Sequence, residues 1–116
     1  MSQKRINAMI PYALKEVEVF VVKGTVESKY MSAIASFGVS VLQSGIYATK
    51  LFYDAKSDVR NTLPNIVKKL ANQNKEFVEL DKDVILDAIT ALKLAIRTYE
   101  KVDNKTQDDI KEAQDE

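Results

Sequence analysis

YMSAIASFGVSVLQSGIYAT, residues 30–49, runs for twenty positions without a formal charge and is closed by Lys29 on one side and Lys50 on the other. Its length is that of a bilayer-spanning helix. Its composition is not: Ser32, Ser36, Ser40, Gln43, Ser44 and Thr49, with Gly38 and Gly45, leave it only modestly apolar. Polar side chains lower the drive to insert, and no strongly hydrophobic block offsets them. The stretch therefore reads as a helix buried by its own protein, with a break near Gly45. Val26, Tyr30, Ala33, Ile34, Phe37 and Val41 share one of its faces. Ser32, Ser36 and Ser40 recur at every fourth position on another. Such a hydroxyl stripe suits close helix–helix contact or, as the alternative, contact with a ligand.

Beyond Gly45 the pattern predicts a third helix over Ile46–Lys56, with Tyr47, Leu51 and Ala55 on one face and Lys50 pointing away from it. Toward the N-terminus, Ile6, Met9, Ile10, Ala13, Leu14, Val17, Phe20 and Val21 form a one-sided helical stripe. Pro11 falls on its exposed side, where it predicts a kink, and Gly24 ends the element. Val17–Val22 is β-prone taken alone, but the longer helical period outvotes it. Val59, Leu63, Ile66, Val67 and Leu70 mark a fourth helix, with Pro64 near its start and Lys68 and Lys69 in its last turns. Asp81 is placed to cap a fifth, from Val84 to about Val102. Its stripe is Ile85, Ala88, Ile89, Leu92, Ile96 and Tyr99, widened by Leu86 and Leu94, which predicts a central position. Thr106 with Asp109 reads as a capping box opening a short last helix. The expectation is an all-α protein: a single compact bundle of five to six helices over residues 1–116, in which 103–116 is a weakly packed acidic C-terminal helix or tail.

A chain of 116 residues makes one domain that buries roughly two thirds of its unfolded surface. It has no Cys and no His, which removes thiolate metal sites together with the commonest general base and metal ligand. Lys4 and Arg5 are followed by no uninterrupted apolar region, so no secretory signal is expected and a cytoplasmic location is. The net charge of zero hides a split: residues 1–75 carry 11 Lys/Arg against 5 Asp/Glu, and residues 76–116 carry 6 against 12. Such polarity attracts an anion to one surface and a basic neighbour to another, or sets the tail against the chain's own basic half.

Catalytic chemistry finds little support. Asp83 and Asp87 stand one turn apart, but acids near a helix N-terminus complement its dipole, and no third ligand or base lies within sequence reach. Asp108, Asp109 and Glu112 read as a solvated acidic patch. No glycine-rich phosphate loop is present, since Gly24, Gly38 and Gly45 lie too far apart for one. No enzyme activity, cofactor or metal is expected. Nucleic-acid binding is better served, because phosphates need mobile cations and unpaired bases need aromatic platforms. Lys29, Lys50, Lys56 and Arg60 cluster around the uncharged stretch, with Tyr47 and Tyr53 between them. These four and Arg97 are the candidate nucleic-acid-binding residues.

The central stretch also resembles a known family. Tyr30-x-Ser32, the apolar turn Val39-x-Val41-Leu42 and then Ser44-Gly45-Ile46-x-x-Thr49-x-Leu51-Phe52 are similar to the signature of the small subunit of Cmr complexes, the type III-B CRISPR effectors. The chain departs from it at Gly38 (usually Pro), Ser44 (usually Asn) and Lys50 (commonly Leu), while keeping residues suited to a helix break. Arg5-x-x-Ala8 through Glu16-Val17 resembles the family's first helix, and Asp87-Ala88-Ile89 through Arg97 its last, with Leu94 where the family has Trp. The resemblance implies an all-helical, non-catalytic subunit. Its copies would stack into a short filament beside other Cmr subunits and help hold guide and target RNA in antiviral defence. A Csm-type small subunit, a helical adaptor that binds only protein and, more distantly, a metal-dependent hydrolase are the alternatives.

Overall fold

The computed structural model describes residues 2–103. Among them are α1 (Gln3–Glu16), β1 (Val21–Val22), β2 (Thr25–Glu27), α2 (Ser28–Ser44), α3 (Ile46–Asp54), α4 (Leu63–Ala71), α5 (Lys82–Ile96) and β3 (Glu100–Val102). Short 3-10 turns at Val17–Phe20, Val59–Thr62 and Phe77–Glu79 join them. The architecture is a mostly helical bundle with one small three-stranded sheet. The short last helix expected from Thr106 lies outside the described residues.

α5 is the central helix, packed against α1, α2 and α4. Its predicted stripe is buried at Ile85, Ala88, Ile89, Leu92 and Ile96, while Leu94 remains exposed. Opposite it, α1 supplies Ile6, Met9 and Ala13, and α4 supplies Leu63, Ile66, Val67 and Leu70. α2 contributes Ala33, Ile34, Phe37, Gly38 and Val41. Gly38 of α2 faces the Ile89 side chain of α5, whose Cγ2 would lie 3.4 Å from a Cβ placed there. Among the described residues no helix is long and apolar enough to cross a membrane.

The helix ends follow local chemistry. Ser2 Oγ accepts from Arg5 N–H at 3.2 Å and opens α1, which continues through the exposed Pro11. Pro64 lies in the first turn of α4, where its missing N–H costs no helical bond, and Asn72 closes that helix in the left-handed conformation at φ 51°. Gly45 ends α2 and begins α3 at φ 91° and ψ 169°, a region open essentially to glycine alone. Gly45→Ala is therefore expected to destabilise the protein by about 1–3 kcal/mol. No heavy atom lies within 4 Å of where the new Cβ would sit, so the whole cost is backbone strain. Urea unfolding measures it, and an unchanged midpoint would contradict this account of the α2–α3 break.

Three sequence expectations are corrected. The first helix stops at Glu16, because the valine run turns into β1. Lys23 and Gly24, both at positive φ (53° and 77°), form a two-residue hairpin turn that pairs Val21 with Val26 and Val22 with Thr25. The fifth helix stops at Ile96, and Glu100–Val102 pairs in parallel with Thr25–Glu27. In α3 the Tyr47/Leu51 face points outward, with the two residues 67% and 57% exposed, whereas Thr49 and Tyr53 take the buried side. The core claims Tyr53 because its ring packs on Phe37 at a centroid distance of 4.8 Å and its hydroxyl donates to Ala33 C=O.

Candidate nucleic-acid interface

Three elements enclose an open groove of about 500 Å³: the first half of α2, the C-terminal end of α3, and the turn that begins at Val59. α2 contributes Ser28, Lys29, Ser32 and Ser36; the end of α3 contributes Phe52, Tyr53 and Lys56; the turn contributes Arg60. Lys29, Lys56 and Arg60 thus come together from a span of 32 residues of sequence onto one concave surface. The first turn of α2 adds the positive end of its dipole to the same wall.

Each cation is held in place. Lys56 Nζ lies 4.0 Å from the centroid of the Phe52 ring and 5.9 Å from that of Tyr53, a cation–π position. Lys29 Nζ lies 5.1 Å from the Tyr30 ring centroid and 3.7 Å from Glu27 Oε2. Arg60 grips Asp58 with a guanidinium fork: Nε donates to Oδ1 at 2.8 Å and Nη2 to Oδ2 at 2.7 Å. The Asp58 carboxylate also accepts from the Arg60 backbone N–H at 2.9 Å and so caps the turn. The Arg60 hydrogen bonds hold the Asp58 pKa down at about 2. Burial pushes the Tyr53 phenol up, against the opposing pull of Arg60.

Lys50 and Arg97 do not join this surface. Lys50 hydrogen-bonds Asp54 one turn on, which raises its pKa, and it lines a separate hollow with Asn61, Lys68 and Glu76. Arg97 is exposed at the C-cap of α5, where a cation complements the helix dipole. The serine stripe divides likewise. Ser40 meets α3 through a 2.7 Å hydrogen bond with Thr49, as helix contact predicts, but Ser32 and Ser36 are exposed in the groove. Ser28, Ala33 and Phe52, together with these two serines, are groove residues that sequence reasoning did not assign to a site, although the serine spacing was visible.

Asp58 is held directly on the groove cation Arg60 by a fork, so it competes with any incoming anion. Asp58→Asn removes that competitor and is expected to tighten phosphate binding several-fold, measurable by titration with a short RNA at fixed salt. It has a second consequence. A carboxylate whose folded pKa lies below its unfolded value stabilises the fold above about pH 4 and loses that contribution as pH falls toward 2. The pair is partly open to water, so the contribution is at most about 1 kcal/mol. The variant lacks this part of the acid limb.

The two acids proposed as a helix-dipole pair separate. Asp83 is exposed in the first turn of α5, where it complements the helix dipole, whereas Asp87 is fully buried. Asp87 Oδ2 accepts from Arg5 Nη1 at 2.8 Å, and its two oxygens share the Ser2 backbone N–H at 3.3 Å each. Its role is to tie the start of α1 onto α5. Among the described residues no three His, Cys, Asp or Glu side chains gather as a metal site. The acidic patch at Asp108, Asp109 and Glu112 lies outside the described residues. No protein-family model, curated protein or solved structure matches the chain.

Proposed function

We propose that this chain is a non-catalytic, RNA-binding small subunit of a type III-B (Cmr) CRISPR effector, acting in the cytoplasm in antiviral defence. It stacks with further copies of itself beside other Cmr subunits and helps hold guide and target RNA. The observation that carries the reading is the convergence of Lys29, Lys56 and Arg60 on one groove, walled by α2, the end of α3 and the turn at Val59–Thr62. The α2–α3 hairpin holds the Tyr30–Phe52 motif on which the resemblance rests. A mostly helical fold supports it as well.

Affinity purification of the tagged protein from its native host, with sequencing of the RNA that co-elutes, tests the proposal. A large assembly carrying short guide RNAs with a shared 5′ end is the expected result. A lone protein, or one protein partner without RNA, overturns it in favour of the helical adaptor. That second reading draws on the exposed Val39 and Leu42 of α2 and Tyr47 and Leu51 of α3. Salt separates the two, since phosphate contacts weaken steeply as salt rises and apolar contacts do not.

A further inference from the structure

Resting on the RNA-binding reading, we infer that the groove takes an unpaired stretch of RNA, with one base stacked on Phe52. Phe52 is 57% exposed at the rim of a groove that otherwise presents cations and hydroxyls. Its ring is set in place on two sides. Lys56 Nζ sits 4.0 Å from the centroid, and the Tyr53 ring packs beside it at a centroid distance of 5.3 Å and an interplanar angle of 77°. An exposed aromatic fixed in this way is a ready platform, because a base stacks on it without an ordering cost to the protein.

Size and chemistry both select the single strand. The groove, at about 500 Å³, falls in the size range of small-ligand pockets and admits a nucleotide or two. A double helix is recognised across many base pairs of backbone, and its bases are already stacked on one another, out of reach of Phe52. An unpaired segment can splay one base onto the ring. Its backbone then passes within the field of Lys56 and Arg60, with Ser32 and Ser36 as hydroxyl partners on the opposite wall.

The chain contains no tryptophan, so Phe52→Trp in the full-length protein places a single indole at the proposed contact. Its fluorescence is expected to be quenched by an unpaired ten-nucleotide RNA, and neither by the same RNA in a duplex nor by a polyanion without bases. In parallel, Phe52→Ala is expected to weaken single-strand binding about tenfold or more, with duplex binding little changed. Its side chain is exposed, so an unchanged circular dichroism spectrum and melting midpoint are expected to accompany the loss. The inference is overturned if the duplex binds as tightly as the single strand, or if Phe52→Ala leaves single-strand affinity intact. Those results would leave the phosphate-groove reading standing. Absence of binding to either RNA, alone and in the purified assembly, would overturn both.

Discussion

Replacing Arg5 with alanine is expected to lower the free energy of unfolding by about 2–3 kcal/mol, at the low end for breaking a buried ion pair by removing one partner. The cost arises at Asp87. Its side chain is 0% exposed, while Arg5 keeps 40% of its side chain in water, so arginine is the half of the pair that can be lost to solvent cheaply. Without the 2.8 Å bond from Arg5 Nη1, the carboxylate keeps only the two 3.3 Å contacts of Ser2 N–H. A buried anion so poorly paired is expensive. For a chain of about a hundred residues the loss corresponds to a fall in melting midpoint of about 10–20 °C. The same argument makes the double variant Arg5→Met with Asp87→Leu far milder, because an apolar pair of similar volume leaves no charge to solvate. A double-mutant cycle by thermal denaturation tests this. If the double variant is as unstable as Arg5→Ala alone, the bond matters through geometry at the α1 start, and the electrostatic account fails.

The Arg5–Asp87 tie also shows where sequence reading stops. The two residues lie 82 positions apart, and nothing local to Asp87 distinguishes it from Asp83 except its phase on α5. Helical period was enough for the bundle itself: most of the stripes of α1, α4 and α5 entered the core, with Leu14 and Leu94 left exposed. It failed where strand pairing, across a tight turn for β1 and from a distance for β3, settled the reading of a segment. Val21–Val22 and Glu100–Val102 are strands only because Thr25–Glu27 lies between them in the sheet, and β3 comes from some 75 positions along the chain. Period also leaves the inward face of α3 undecided. Tyr47, Leu51 and Phe52 make a more apolar face than Thr49 and Tyr53, yet it is the latter that Phe37 and Ser40 receive. Of five candidate cations, sequence proximity found the three that share the groove. Lys50 sits inside α3 with its side chain toward Asp54, whereas Lys56 lies beyond the helix end, so closeness in sequence does not put them on one surface.

Combining Lys56→Glu with Arg60→Gln is expected to weaken RNA binding by about a hundredfold or more at low salt. Hydrogen bonds to charged groups are each worth about 1.5–3 kcal/mol, and two are lost. Glutamine at position 60 avoids setting a second carboxylate against Asp58, whose oxygens accept four bonds from Arg60. Lys56 reaches the groove from beyond the end of α3 and makes no ion pair among the described residues, so the fold is expected to survive. The diagnostic is the salt dependence as much as the affinity. If both cations contact phosphates of an unpaired strand, the slope of log K against log salt becomes shallower by about 1.4, or 0.7 for each. Lys50→Glu and Arg97→Glu serve as counterparts with the same kind of charge reversal elsewhere on the surface. Because neither residue lines the groove, each is expected to change affinity only by long-range attraction, a few-fold at low salt and nothing measurable once the screening length falls below about 8 Å. Equal losses for groove and non-groove variants would mean that RNA reads only the overall charge of the basic half, and the groove would lose its claim to be the site.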